Sequence, residues 1–311
     1  MQGDGREQEG PASGPDPGWR PWGAAIQEAL YGPAGFYRRH VPAAHFQTSV
    51  GFPEYAQAVR RLADEVDASL GRPDPYDVVD VGAGQGELLL GLGDVPGRWR
   101  LTAVEVRDDP GGPLRWTSRV PPVTGLLVAN EWLDNVAVDV VEHGRLVEVS
   151  ASGDERLGRP APLAALAWCR RWWPRGRAEV GRDRDLAWAG AVAQVQRGLA
   201  VAMDYGHLLA DRRPTLTGYR DGRQVRPVPD GSCDLTAHVA LDACAAGSGA
   251  RLTTQRAALR RLGVTGRPAG AGAAALQRAS REAELIDPAG LGGFGWLVRP
   301  VGITDPLTLR P

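Results

Sequence analysis

An apolar run in the segment YDVVDVGAGQGE ends at three alternate glycines, Gly82, Gly84 and Gly86. Glycine permits a tight turn there and lets backbone amides approach a ligand closely. Asp80 lies just inside the end of the run, and Glu105 closes the next apolar run, 19 residues after Gly86. A carboxylate at that place can accept hydrogen bonds from both hydroxyls of a ribose. These residues together predict a nucleotide-type cofactor site, although a glycine-rich turn alone also fits a plain strand-to-helix connection.

The residues around the turn discriminate between nucleotide cofactors. Dinucleotide sites of the GxGxxG type need a third glycine where this chain has Glu87, and a carboxylate there would repel a pyrophosphate. NAD is therefore disfavoured. S-adenosylmethionine has no phosphate and carries two cationic groups, which suit the acidic residues Asp80, Glu87, Glu105 and Glu131. We predict S-adenosylmethionine as the cofactor, bound by Asp80, Gly82, Gly84, Gly86, Glu105 and Asn130.

A second set of polar residues, Asn130, Glu131 and Asp134, follows the apolar stretch 125–129. Ligands bind at the carboxyl ends of strands in open α/β sheets. Glu131 and Asp134 are three residues apart, so they share a face if a helical turn starts here. Two convergent carboxylates could hold a guanidinium and aim one nitrogen at a methyl group. The alternative is that these acids only stabilise a helix N-terminus.

Apolar runs that alternate with helical periodicity indicate the elements that must position these residues. The pattern predicts strands over 77–81, 100–106, 125–129, 199–203 and 294–301, a hairpin over 138–149, and helices over 26–31, 55–70, 87–92, 188–198, 238–246 and 253–262. Residues 35–52 look like an aromatic loop, and residues 212–234 like a long excursion. Strands that alternate with helices imply an α/β doubly wound sheet.

Composition limits the classes of function. The formal net charge of −1 gives no overall attraction to nucleic acid or to an anionic membrane, so no nucleic-acid partner is expected. No apolar run is long enough to insert into a membrane, and the first 22 residues look like a disordered tail and not like a signal peptide. Three cysteines without a CxxC pair suit reduced cytosolic thiols, so we expect a cytoplasmic protein. No residues are assigned to a metal.

Ordered short motifs make the chain similar to the MidA-like family of S-adenosylmethionine-dependent methyltransferases. The matching segments span roughly residues 25–300. They are YGPAGFY at 31–37, FQTS at 46–49, VDVGAGQGEL at 79–88, VEV at 104–106, ANEWLDNVAV at 129–138, MDYG at 203–206, CDLTAHV at 233–239, TQRAALRRLG at 254–263 and GLGGFGWLV at 290–298.

The resemblance implies a class I methyltransferase (Rossmann-like) fold in one domain over residues 23–311. Within it we expect an N-terminal cap over 23–75, a cofactor-binding core over 76–150, inserted helices and a long loop over 151–250, and C-terminal helices and a strand over 251–311. By analogy with the mitochondrial member, the acceptor would be a protein arginine methylated during assembly of respiratory complex I. Asn130, Glu131 and Asp134 would then border the acceptor. Asp234 and His238 match a family motif of unassigned role, and we favour a buried structural histidine over acid–base chemistry for His238.

Three departures from the family pattern concern the site. Val50 and Gly51 replace the proline and acid that usually follow Thr48 and Ser49, and Asn135 and Val136 alter the carboxylate motif. Residues 107–115 are too few for the helix that normally follows the second strand, so one wall of the adenosine pocket should be trimmed. Rival functions are a small-molecule methyltransferase, a cofactor-binding assembly factor without catalysis, and an NAD oxidoreductase.

Overall fold

The structure is a computed structural model that describes residues 18–39 and 48–308. Its helices are α1 (Trp22–Tyr31), α2 (Phe36–Arg39), α3 (Pro53–Ser69), α4 (Glu87–Leu90), α5 (Leu163–Trp172), α6 (Arg182–Val192), α7 (Leu241–Ser248), α8 (Gln255–Arg261) and α9 (Ala273–Leu285). Its strands are β1 (Trp19–Pro21), β2 (Tyr76–Val81), β3 (Trp99–Val104), β4 (Arg115–Thr117), β5 (Val123–Asn130), β6 (Asp139–Glu142), β7 (Arg145–Ser150), β8 (Glu155–Pro160), β9 (Ala178–Val180), β10 (Val195–Asp204), β11 (Gly206–His207), β12 (Thr217–Arg220), β13 (Arg223–Val225), β14 (Asp234–Thr236), β15 (Val239–Ala240), β16 (Arg251–Thr254) and β17 (Gly295–Val301).

The main sheet has seven strands in the order β16-β17-β10-β5-β2-β3-β4. Neighbouring strands from β10 to β4 pair in parallel, whereas β17 runs antiparallel to both β10 and β16. Every residue of β2 is buried, as expected for a parallel strand that is covered on both faces. The parallel arrangement brings the carboxyl ends of β2, β3, β5 and β10 to one edge, where the site residues lie.

Helices cover both faces of this sheet. On one face, α3 begins with Pro53 at its first turn and buries Tyr55, Val59, Leu62 and Val66, which lie at helical spacing. Residues of α8 and α9 pack into the same cluster. On the other face, α6 and α7 pack Trp188 and other apolar residues against β5 and β10. The predicted doubly wound sheet is confirmed.

A second sheet stands beside the first and carries the N-terminal helices. Its strands run in the order β1-β7-β6-β9, with β8 also paired to β7. Trp22, Ile26 and Leu30 of α1 pack against this sheet and against Leu235 of β14. The predicted hairpin is confirmed as β6 and β7, with its turn at His143 and Gly144. Strands β12 and β13 lie within the predicted excursion and form a small sheet with β14, which begins at its last residue, so that segment is partly regular.

Several predicted boundaries were wrong. The helix predicted over 188–198 is α6, which ends at Val192, because residues from Val195 onward already pair with β5. The helix predicted from 253 starts at Gln255, since Arg251–Thr254 pair with β17. The predicted aromatic loop contains α2 and a short 3-10 turn at Ser49–Gly51.

The domain divisions also need two changes. β10 lies inside the main sheet, so the core extends beyond residue 150 into the segment predicted as an insertion. Trp19–Pro21 pair with β7, so the predicted tail is ordered at its end, while residues 1–17 lie outside the described residues. Phe46 and Gln47 of the FQTS segment also lie outside them.

None of the helices in the described ranges is long and apolar enough to cross a membrane. The cysteines Cys169, Cys233 and Cys244 are free thiols.

Candidate functional site

The glycine-rich loop after β2 presents its backbone to the cavity because glycines stand at the positions where a side chain would not fit. Gly82 and Gly84 have φ angles of +75° and +64°, which only glycine adopts readily. A Cβ on Gly82 would lie 2.8 Å from Cδ1 of Trp132. Gly86 differs from the prediction: it precedes α4, Leu114 packs against it, and it is not among the residues that line the cavity.

Glu105 lies at the end of β3, beside this loop. Its Oε2 accepts a hydrogen bond of 3.0 Å from the N–H of Gly84, and its Oε1 accepts one of 2.8 Å from the N–H of Val106. The carboxylate is thus held against the glycine loop, at the predicted place for ribose hydroxyls.

A cavity of about 830 Å³ opens between the glycine loop, the ends of β3 and β5, and the N-terminal helices. Its volume is within the usual range for small-molecule sites, roughly 300–1,000 Å³. Asp80 is buried in its wall, and burial, followed by the nearby charges of Glu87 and Glu105, raises its pKa well above the usual value. The cavity brings together the following residues predicted for the site: Asp80, Gly82, Gly84, Glu105, Asn130 and Glu131.

Asn130 and Glu131 form the centre of the wall. Glu131 has a φ of +48°, which is unusual for a residue with a side chain and turns it out of the line of β5. Its Oε1 accepts hydrogen bonds of 3.1 Å from Ser49 N–H and of 3.1 Å from Asn130 Nδ2. Tyr55 Oη donates a 2.6 Å bond to Asn130 Oδ1, so the amide is fixed from behind.

The acid–base state of Glu131 is set by its surroundings. Desolvation is the main cause that raises its pKa to about 7, and the charge of Asp134 adds to it. A carboxyl with a pKa near 7 in a cavity wall is typical of functional sites.

Asp134 does not share a face with Glu131, contrary to the prediction. The positive φ of Glu131 and a 3-10 turn at Leu133–Asn135 replace the expected α-helical turn, and Asp134 points away from the cavity. Its Oδ2 accepts hydrogen bonds from Tyr205 Oη at 2.5 Å and from Thr236 Oγ1 at 3.2 Å. Asp204 caps the same turn by accepting the N–H of Asp134 at 3.2 Å. Asp134 therefore supports the wall from behind, and the two-carboxylate clamp is not formed.

Two tyrosines that the sequence analysis did not select complete the wall. Tyr31 from α1 and Tyr37 from α2 line the cavity, with ring centroids 5.4 Å apart. Tyr37 Oη contacts Asn135 Oδ1 and lies 3.0 Å from Oδ1 of the buried Asp234. Both tyrosines belong to the YGPAGFY segment, and this family motif could have identified them as site residues.

Asp234 and His238 have different surroundings. Burial, followed by the charge of Asp134, raises the pKa of Asp234 to about 7. His238 is half-buried, its ring packs edge-on against Tyr205, and its backbone N–H donates to Thr215 of the long loop. Burial lowers the pKa of His238. Its position agrees with a structural role.

The segment after β3 forms a different wall from the one the family pattern would give. Residues 107–115 contain no helix, as predicted, and Val106 and Arg107 face the cavity. The guanidinium of Arg107 lies 5.9 Å from the centroid of the Tyr37 ring, with Nη2 3.7 Å from Glu105 Oε2. Its buried Nε has no hydrogen-bond partner among the residues that the structure describes. Thr48 and Val50 of the altered TS segment also line the cavity.

The arrangement fits S-adenosylmethionine. The glycine backbone at Gly82 and Gly84 lies beside the Glu105 carboxylate, which can accept hydrogen bonds from ribose hydroxyls. The remaining wall carries the acids Asp80, Glu87 and Glu131, which favour a cationic ligand over a phosphate.

Comparisons with solved structures support the fold. The chain has a TM-score of 0.78 and 22% identity to a crystal structure of a protein from Burkholderia thailandensis bound to S-adenosyl-homocysteine, with 94% of this chain and 90% of that chain covered. A native crystal structure of an uncharacterized protein of the same superfamily and organism gives a TM-score of 0.77 and 23% identity over 94% of this chain and 91% of that chain. No curated protein matches the sequence.

A family model matches residues 100–257, more than half of the 311 residues, and carries the description "Putative S-adenosyl-L-methionine-dependent methyltransferase". The resemblance to MidA-like methyltransferases, the class I fold and the cofactor predicted from the sequence are thereby confirmed. The chain belongs to the Methyltransf_28 family of S-adenosyl-L-methionine-dependent methyltransferases.

Proposed function

We propose that this methyltransferase acts on a protein side chain, the guanidinium of arginine. The observation that carries the proposal is that Glu131, Asn135 and the neighbouring rings of Tyr31 and Tyr37 line the same cavity. Carboxylates pair with guanidinium through charge-assisted hydrogen bonds, and aromatic rings attract its positive charge. By the family resemblance, the acceptor protein would be methylated during assembly of respiratory complex I.

The chain's own residues divide the work of binding. The backbone of Gly82 and Gly84, with Glu105 and Asp80, holds the cofactor, which supplies a methyl group activated by a positively charged sulfur. Glu131 accepts hydrogen bonds from the guanidinium and directs one nitrogen at that methyl group. Positioning and exclusion of water account for most of the acceleration in such a displacement.

The charge of Glu131 must be negative for this role. The sulfonium of the cofactor and the guanidinium of the acceptor would lower the pKa of Glu131 from its value of about 7 in the free protein, since opposite charges favour the ionised carboxylate.

Transfer of a tritiated methyl group into lysate proteins tests the proposal. Methylarginine in acid hydrolysates of the labelled proteins is the expected product, and Glu131→Gln should bind S-adenosylhomocysteine normally but lose most of the labelling. Glu65→Gln on α3 is the matched control, because Glu65 pairs with Arg261 outside the cavity, and it should label like the unaltered protein.

Other outcomes of the same assay would replace the proposal. Label confined to the low-mass fraction would identify a small-molecule acceptor. Cofactor binding without labelling of any fraction would indicate an assembly factor without catalysis.

A further inference from the structure

Asp234 begins β14, 197 residues after Tyr37, and its side chain is buried. It does not line the cavity, but the hydroxyl of Tyr37, which does, lies 3.0 Å from its Oδ1. A buried carboxyl is thus connected to the acceptor side of the cavity through one hydroxyl group. Neither the cofactor site nor the role given to Glu131 uses this pair.

The hydrogen bonds around Tyr37 require that Asp234 itself carries a proton. Asn135 Nδ2 donates a 2.9 Å bond to the carbonyl oxygen of Glu131, so its Oδ1 is the atom that faces Tyr37. Tyr37 has one hydroxyl proton and cannot donate to both Asn135 Oδ1 and Asp234 Oδ1. Both contacts are satisfied only when Asp234 is protonated and donates to Tyr37, which then donates to Asn135.

We propose that Tyr37 and Asp234 form the proton-accepting site of the reaction, with Tyr37 as the group that takes the proton from the acceptor nitrogen. The inference rests on the proposed arginine acceptor. The nitrogen lone pair forms the N–CH₃ bond while the S–CH₃ bond breaks and leaves its electron pair on sulfur. The N–H proton moves to Tyr37 Oη as the Tyr37 proton moves to Asp234 Oδ1. The products are a methylated guanidinium, neutral S-adenosylhomocysteine and a protonated Asp234, so charge and atoms balance.

The surroundings of Asp234 suit a group that exchanges a proton near neutral pH. Tyr37 and Tyr31 face it from α2 and α1, Asp134 faces it from the turn after β5, and Cys233 is its neighbour in the chain. Burial and the charge of Asp134 raise its pKa to about 7, while the hydrogen bond from Tyr37 opposes that rise. Asp234 must be ionised to accept the proton, so transfer should accelerate as pH rises toward 7 and level off above it.

Infrared spectroscopy of the cofactor-free protein tests the proton site without any turnover. Glu131→Gln serves as the background, because it removes the other carboxyl with a pKa of about 7 from the cavity wall. In this background part of the carbonyl band of protonated carboxyls should titrate with a midpoint near pH 7, and that part should disappear on adding Asp234→Asn. It should persist with Asp230→Asn, the same change at an exposed position of the same segment. A band that is absent, or unchanged by Asp234→Asn, would overturn the inference.

Single-turnover methyl transfer, with lysate proteins as acceptor and cofactor affinity measured in parallel, tests the route. Asp234→Asn and Tyr37→Phe should each slow transfer by about 100-fold, the usual scale of general acid–base catalysis, while S-adenosylhomocysteine binds as before. The double variant should lose little more, because both residues act in one path. Asp230→Asn should keep the unaltered rate.

The outcomes separate the two proposals. Arginine labelling by Asp234→Asn at the unaltered rate over the whole pH range would refute the proton route and leave the arginine acceptor standing. Absence of arginine labelling by the unaltered protein would refute both.

Discussion

The backbone N–H of Ser49 donates a 3.1 Å hydrogen bond to Oε1 of Glu131, which joins the N-terminal segment to the end of β5. Ser49 is itself fixed by Gln255 at the start of α8, whose Nε2 donates a 3.1 Å bond to Ser49 Oγ. Trp296 Nε1 donates to Gln255 Oε1 at 3.3 Å. A buried polar chain thus runs from the last strand of the sheet to the carboxylate in the cavity wall.

Gln255→Leu should destabilise the protein by about 1–3 kcal/mol, because Ser49 Oγ and Trp296 Nε1 would be left buried without partners. The measurement is the free energy of unfolding in urea. Gln224→Leu, an exposed glutamine on β13, is the control and should change stability by less than about 0.5 kcal/mol. Equal effects of the two substitutions would show that the buried chain contributes nothing.

The fold was predictable because its signals are local. The run 77–81, the glycines after it and the helical spacing in α3 each lie within a few residues. Alternating strands and helices indicated a doubly wound sheet but not its strand order. Pairs that are distant in sequence carry no such signal. Tyr37 and Asp234 meet across 197 residues, and Asp234 was visible only as part of a family motif of unassigned role.

The carboxylate pair shows how a spacing argument fails when the backbone departs from its regular form. A spacing of three residues places Glu131 and Asp134 on one face only in a helix. Glu131 has a positive φ, so the chain is not helical there. The sequence has no glycine at this position that would have indicated such a conformation. Asp134 then finds its partners on β14 and after β10, which the spacing could not indicate.

Gly82→Ala should weaken S-adenosylhomocysteine binding at least tenfold, since the new Cβ would meet Trp132 at 2.8 Å and displace the loop. Gly93→Ala is the matched control, with a similar φ of +72° but nothing within 4 Å of its Cβ. Both variants should lose about 1–2 kcal/mol of stability from the left-handed backbone. Calorimetric titration and thermal unfolding separate the two effects. Unchanged affinity in Gly82→Ala would contradict the assignment of this loop to the cofactor.

Glu131→Gln should gain stability relative to the unaltered protein as pH rises from about 5 to 8. Because the pKa of Glu131 is raised to about 7 in the folded state, the folded protein holds a proton that the unfolded chain has released, and stability falls with pH over that window. Glutamine has no such proton, so the difference should grow in its favour by up to roughly 3 kcal/mol. Urea unfolding at pH 5, 6.5 and 8 measures it. A constant difference would show that Glu131 ionises normally.

Arg107→Gln should strengthen binding of S-adenosylmethionine more than binding of S-adenosylhomocysteine. The Arg107 guanidinium lies in the cavity between Glu105 and Tyr37, and its charge repels the sulfonium but not the neutral thioether. We expect the ratio of the two dissociation constants to shift by about 5- to 10-fold, which corresponds to roughly 1 kcal/mol. Calorimetric titration with both ligands gives the ratio. Arg115→Gln, at the exposed first residue of β4, is the control and should leave this ratio unchanged. An equal change in both affinities for Arg107→Gln would mean that Arg107 acts on the cavity through its shape and not through its charge.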